Sequence, residues 1–354
     1  MKKILALVMV LVLCLSMFAA CGNNTKEPEK ETQEPTPDDG VLRVLLLGHS
    51  LGNDSIWLLP TLAKNEGYKD MVFGMLYYSG CRLRQHVTFL TKEDPVYEYR
   101  QWDINKDGSW MMMDPQGAFY PGGIGADTSR FENHVTMKAA IEQQDWDVVV
   151  LQAGVMEAAG QTSDGALSTA DIQTIIDYVN KNDIDKTTKT KFAYNMVWTF
   201  PSDDTMLSDY YHGLLYGNFA NSQEMYDAIC TTTKDTVEPY YDWEYIIPAA
   251  TAMQNGHSSY IGNGMYRDTA HASDDGRIMC AYTWLCTLTG TDMSQMKVDK
   301  PIPGRELRGE PYRSTGLART LTEAERAVVI ESVTNALKTP YALTPSTYTE
   351  APAQ

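Results

Sequence analysis

The sequence predicts a three-layer α/β/α domain built on a mostly parallel sheet. Two observations carry this. Four runs, Val41–Leu47, Met71–Leu76, Asp147–Leu151 and Lys191–Val197, are nearly continuous in apolar residues, as strands covered on both faces are. Segments with helical spacing alternate with them, and such alternation packs as a sheet between two layers of helices.

The elements follow in order. Val41–Leu47 (VLRVLLL) is a strand ending at Gly48, and Asp54 to Glu66 reads as one helix running to Gly67, with Pro60 in its first turn or kinking it. Met71–Leu76 is the second strand. Pro95 to Tyr120 breaks the alternation and reads as a β-hairpin insertion at about 95–120, with Tyr97–Trp102 and Ser109–Met113 flanking Asn105-Lys-Asp-Gly108. Asp147–Leu151 is the third strand, after which Ser168-Thr-Ala-Asp171 opens a helix with Ile172, Ile175, Ile176 and Val179 on one face. Lys191–Val197 is the fourth strand, and a Tyr-rich loop from Trp198 to Gly217 is expected, with the hairpin, to lie over the sheet's edge. Ser222–Thr233 is helical and Glu244–Ile247 is a short fifth strand. Ser273 caps a long helix ending near Gly290, with Ile278, Tyr282, Leu285 and Leu288 inward. Thr322-Glu-Ala-Glu325 opens the last helix, to about Leu337, with Val328, Val329 and Val333 inward. No internal repeat is present.

The ends of the chain point outside the cell. Lys2 and Lys3 precede the apolar stretch Ile4–Leu15, and Ser16-Met-Phe-Ala-Ala-Cys21 follows, the layout of a secretion signal. Cys21 directly after small residues resembles a bacterial lipobox and would be the lipidated first residue of the mature protein; a plain signal peptide is the alternative. Residues 22–40 are rich in Glu, Pro, Thr and Lys and offer nothing to a core, so they read as a tether. The expected organisation is a signal at 1–20, a tether at 21–40, an α/β domain at 41–338 and a disordered tail at 339–354. A membrane-anchored body on the extracellular face follows.

A formal net charge of −17 excludes nucleic acid and anionic headgroups as natural partners. Seven Trp and 21 Tyr suit sugar rings as well as cores. Of the six cysteines, Cys14 leaves with the signal and Cys21 carries the lipid. Cys81, Cys230, Cys280 and Cys286 remain; they read as buried free thiols, with Cys81–Cys230 a conceivable bridge in an exported protein. No Cys/His spacing suggests zinc. Asp103-Ile-Asn105-Lys-Asp107-Gly108 with Asp114 matches a calcium loop, but strand-like flanks and an Asp-Gly turn explain the same residues. No metal or cofactor is assigned.

The chemistry lies in two short motifs. Gly48-His-Ser50 ends the first strand, and Asp268-Thr-Ala-His271 precedes the capped helix near the C-terminus. A hydroxyl needs an adjacent base to become a nucleophile, and the imidazole needs a carboxylate to fix its tautomer. Ligands of open parallel sheets sit beyond the carboxyl ends of the strands. Ser50, Ser79-Gly80, Gln152-Ala-Gly154 and the Asp268–His271 loop can all meet at that rim. Either motif alone has a local explanation, as a loop serine or a helix cap.

Gly48-His-Ser50, Gly80, Gln152 and Asp268-x-x-His271 fall in the order of the conserved blocks of the SGNH (GDSL-like) hydrolases. The wording GHSLGND and RDTAHASDDGR resembles most the branch catalogued as domain of unknown function 4886, over about residues 41–290. The resemblance implies a flavodoxin-like sheet and acyl-ester hydrolysis, often of acetyl groups on glycans. It makes Ser50 the nucleophile, His271 the base and Asp268 its orienter, with an oxyanion hole from the N–H groups of Ser50 and Gly80 and the side-chain amide of Gln152. His49 stands where the superfamily commonly has Asp, and Gln152 where it commonly has Asn, with no Asp following. Two readings result: a lipid-anchored serine esterase acting on acylated carbohydrate or another small ester, or a catalytically silent relative that binds glycans. His49 reads as structural.

Overall fold

The computed structural model describes residues 39–106, 109–121, 134–160, 166–184, 189–201, 219–303 and 318–352. The signal segment, Cys21 and nearly all of the tether lie outside them.

Eight strands form one sheet: β1 Leu42–Gly48, β2 Met71–Tyr77, β3 Glu98–Asp103, β4 Met111–Met113, β5 Phe119–Pro121, β6 Val148–Leu151, β7 Lys191–Asn195 and β8 Tyr245–Ile247. Their order is β5-β4-β3-β2-β1-β6-β7-β8. From β2 to β8 every pair is parallel, in the flavodoxin-like order, while β3, β4 and β5 add on antiparallel. Leu45, Leu46 and Leu47 of β1 and Val149, Val150 and Leu151 of β6 are all fully buried. Central strands covered on both faces leave no polar side to alternate with, which is why they read as unbroken apolar runs.

The helices are α1 Ser50–Ile56, α2 Leu59–Glu66, α3 Leu83–Lys92, α4 Met137–Ile141, α5 Val155–Ala158, α6 Thr169–Asn182, α7 Ser222–Thr232, α8 Ala249–His257, α9 Asp274–Thr289 and α10 Glu323–Lys338. They pack in two groups around the sheet, α3 with α4 and α6, and α9 with α1, α2, α8 and α10. The caps foreseen at Ser168, Ser273 and Thr322 are formed. Among the described residues no helix is long and apolar enough to cross a membrane.

Several expectations need correction. The single helix expected over 54–66 is two. Proline cannot donate to the carbonyl four residues back and its ring clashes there; for Pro60 that residue is Ile56, where α1 stops, and α2 restarts with Pro60 in its first turn. The helix also begins earlier than expected, at Ser50. β3 and β4 do not lie over the sheet's edge but extend it, with Gly74 paired to Gln101 and Tyr99 to Met113. Asp107 and Gly108, at the tip of the calcium-like loop, lie outside the described residues. Asp103 is occupied by Asn105 N–H and Lys106, and Asp114 by the N–H groups of Gln116 and Ala118, so each closes a turn. Among the described residues no cluster of His, Cys, Asp and Glu could hold a metal ion. The four cysteines 81, 230, 280 and 286 are free and buried.

The segment expected to be a disordered tail is docked as far as it is described. Thr344 N–H donates to Asn255, Ser346 N–H to Ser258, and the Glu331 carboxylate accepts from Ser346 and Thr347. The Tyr348 carbonyl accepts from Tyr260 N–H at 2.8 Å. Polar groups of α8, of its C-cap Ser258 and of α10 fasten this segment, and Tyr341 and Leu343 pack partly buried against the core.

Candidate active site

The register aligns Gly48 with Tyr77 and Leu47 with Leu151, so the chain leaves β1, β2 and β6 at one rim. Strand order reverses on either side of β1, which marks the crevice between β1 and β6 as the place for a ligand.

After β1, His49 adopts an extended conformation and serves as N-cap of α1, its Nδ1 accepting from Leu51 N–H at 3.4 Å. Its Nε2 lies 3.1 Å from the Ala153 carbonyl. A carbonyl only accepts, so Nε2 carries the proton and Nδ1 is left to accept. Burial pushes the imidazole pKa down to about 4, against a smaller upward effect of the Ala153 contact. His49 is a neutral brace, as its reading as structural requires. Ser50 is then the first residue of α1, where a backbone N–H has no intrahelical acceptor and the helix dipole favours negative charge.

The second motif closes on itself. Tyr266 bridges Ala272 and Arg267 N–H donates to the His271 carbonyl at 3.0 Å, pinching the base of a loop. At its tip Asp268 accepts from the N–H groups of Ala270 and His271 at 2.9 and 2.8 Å. Both carboxylate oxygens lie within 3.0 Å of His271 Nδ1. Since the carboxylate can only accept, Nδ1 donates and Nε2 keeps a lone pair, the tautomer a general base needs. Partial burial works to raise the Asp268 pKa, but the bonds from His271 and the two backbone N–H groups hold it well below the usual carboxylate range.

Ser50, Gly80 and His271 line one cavity of about 520 Å³, with Tyr77, Arg82 and Phe200 among its other walls. Gly80 has φ +61°, a left-handed conformation that glycine takes without strain. Glu157 pins two walls together. Its carboxylate accepts from Leu83 N–H at 2.9 Å and Gly154 N–H at 3.0 Å, while burial pushes its pKa up.

Asp268 meets this cavity only through His271, which lines it, and Gln152 is not brought to it. Its N–H donates to the Leu47 carbonyl at 3.1 Å, continuing the parallel ladder one residue past β6. The side chain therefore projects onto the sheet face beneath α1. There it is fully buried, and neither Nε2 nor Oε1 has a hydrogen-bond partner among the described residues. Oε1 lies so close that a Cβ at Gly52 would come within 2.5 Å of it, so a side chain at that turn of α1 would have to displace the amide.

Sequence reasoning missed Asp54, Arg267, Arg277 and Glu157. In the sequence Asp54 reads as the start of a helix, whereas in the fold it lies one turn beyond Ser50 within α1. Arg267 and Arg277 flank the Asp268–His271 motif at both ends, and that bracketing by arginines was the available signal.

Residues 43–302 match the family described as domain of unknown function (DUF4886). Among solved structures the chain is similar to a DUF4886 family protein from Bacteroides uniformis ATCC 8492, at 21% sequence identity and a TM-score of 0.62, over 88% of this chain and 100% of that one. At that identity the likeness is one of fold. A gut microbial diltiazem-metabolizing enzyme aligns at 11% identity and a TM-score of 0.36, over 70% of this chain and 47% of that one, too slight a likeness to argue from. No curated protein matches the sequence.

Proposed function

The chain belongs to the DUF4886 family, and we propose that it works as a serine esterase of SGNH type that removes acyl groups, acetyl above all, from carbohydrate. The observation that carries this reading is a single cavity lined by Ser50 and His271, with His271 Nδ1 held 2.9 Å from the Asp268 carboxylate. In this reading His271 Nε2 takes the proton of Ser50 Oγ as it attacks the ester carbonyl. The tetrahedral oxyanion is met by the N–H groups of Ser50 and Gly80, each such donor being worth about 3–4 kcal/mol of barrier. Collapse expels the alcohol with the proton from His271. Water, deprotonated by the same imidazole, then releases the acid. Gln152 has no part in the hole, which rests on backbone donors alone. An acidic exported body tethered through a lipid at Cys21 would carry out this chemistry on the extracellular face, on neutral or cationic substrates rather than nucleic acid.

The inward position of Gln152 favours a second reading, a glycan-binding surface protein on the same fold without turnover. A chromogenic acetate ester separates the two. The parent should hydrolyse it, and Ser50→Ala and His271→Ala should each lose at least about 10⁴-fold in kcat. Equal rates in all three proteins would overturn the esterase and leave the binding protein.

A further inference from the structure

Ser50 and His271 sit on elements far apart in the chain, and a nucleophile–base pair works only if their separation is fixed to a fraction of an ångström. Three buried side chains bear on that separation. Asp54 lies one turn after Ser50 on α1. Its Oδ2 accepts from Arg267 Nη1 at 2.7 Å and from the backbone N–H of Ala272 at 3.0 Å. Its Oδ1 accepts from Arg277 Nε at 3.0 Å and Nη2 at 2.7 Å. Arg267 Nη1 also donates to the Ala272 carbonyl at 2.9 Å, so the guanidinium grips both ends of the loop base.

The carboxylate thus touches the residue next to His271, the arginine that opens the imidazole loop, and the arginine of α9 beyond it. Asp54 is 1% exposed and Arg277 0%. Asp274, 3.6 Å from Arg277, and Asp268, 3.7 Å from Arg267 Nε, complete a cluster of two arginines and three aspartates. On the other side of the same short helix, Asn53 accepts from Arg100 Nη1 at 2.7 Å, and Arg100 lies over the Tyr77 ring in the cavity wall. The helix carrying the nucleophile is therefore gripped from β3 and from the imidazole loop at once.

We propose that Asp54 is a positioning residue, a clamp that sets the Ser50 helix against the His271 loop through Arg267, Arg277 and Ala272 N–H. It touches no substrate and transfers no proton. The inference rests on the esterase reading of Ser50 and His271, but the clamp itself is a property of the fold and is read without turnover.

The experiment compares the full chain with Asp54→Asn and Arg267→Lys by hydrogen exchange and by kinetics on a chromogenic acetate ester. Arg267→Lys keeps a cation beside Asp54 but loses the fork that also reaches the Ala272 carbonyl. It decides the matter if Asp54→Asn does not fold. The clamp predicts exchange at least about tenfold faster across residues 266–273 with the sheet unchanged. It also predicts a kcat lower by about 100-fold with KM moved less than about threefold. Parent-like loop protection overturns the proposal, as does faster exchange spread evenly over sheet and loop. If the parent itself does not turn over, the esterase reading fails, and loop exchange alone then decides the clamp.

Discussion

Two carboxylates three residues and one turn away from the proposed reacting groups do opposite jobs. Asp268 is half-exposed, with its side chain 41% accessible, and its partners are its own neighbours Ala270 and His271, with Arg267 Nε 3.7 Å away. Asp54 is sealed in the interior, and its partners lie 213 to 223 residues away along the chain. The first fixes the tautomer of an imidazole, and the second fixes where that imidazole stands. A local motif can thus be complete in itself and still depend on a distant, buried group to meet its counterpart.

The sharpest way to break this comparison is to remove each carboxylate and read rate and stability separately. Asp268→Asn should keep the fold within about 1 kcal/mol, because the side chain is exposed and its bonds are local. It should cost about 10⁴-fold in kcat on an acetate ester by presenting the wrong tautomer to Ser50. Asp54→Ala should lower unfolding stability by about 3–5 kcal/mol in urea, because it removes the buried carboxylate that two buried guanidinium groups share. If Asp268→Asn proves the more destabilising of the two, the division of labour is wrong.

The same contrast explains what could be read in the sequence. The parallel sheet was legible because central strands buried on both faces leave continuous apolar runs, and Val148–Leu151 needs no further context. Gly48-His-Ser50 and Asp268-x-x-His271 were legible because backbone geometry alone joins their members. The contact of Asp54 with Arg277 has no such signature, since an aspartate on a short helix looks like any polar surface residue until the fold buries it. Gln152 misled for a related reason. A strand's last paired residue keeps the alternation of its strand, and one extra ladder bond to Leu47 turned its side chain under α1 instead of toward the rim. Residues 339–352 misled because backbone and hydroxyl donors reaching Asn255, Ser258 and Glu331 leave no apolar pattern.

Gln152 also sharpens the comparison from the other direction. Asp54 is buried with four donors around it, whereas the Gln152 amide is buried with none. An unpaired buried amide costs roughly 1–3 kcal/mol, and an apolar group of similar shape removes that cost. Gln152→Met should therefore raise stability by about 1–2 kcal/mol and leave kcat on an acetate ester unchanged. A fall of about 100-fold or more in kcat would show that the amide reaches the oxyanion during turnover, and would restore the role that its place after β6 suggested.

The smallest effect comes from a third carboxylate, Asp147, which accepts from Arg43 N–H at 2.7 Å. Burial pushes its pKa up to about 6, helped by Asp145 and Asp39 and opposed by Arg43. Asp54 is buried more deeply, yet Arg277 and Arg267 overcome that burial and carry its pKa below the usual value. Depth alone does not decide the direction of a shift; the opposite charges beside the group do. The sign for Asp147 follows from linkage. Between the unfolded value of 3.8 and about 6 the folded carboxyl keeps its proton where the unfolded one has lost it. Stability from this group is therefore greatest below pH 3.8 and declines as pH rises toward 6. Asp147→Asn keeps an acceptor for Arg43 N–H and removes the titration. Relative to the parent it should gain stability between pH 4 and pH 8, by less than about 1 kcal/mol because the group is part-exposed. Urea midpoints of both proteins at the two pH values measure it, and a variant whose difference from the parent is the same at both would mean that Asp147 titrates as an ordinary surface carboxylate.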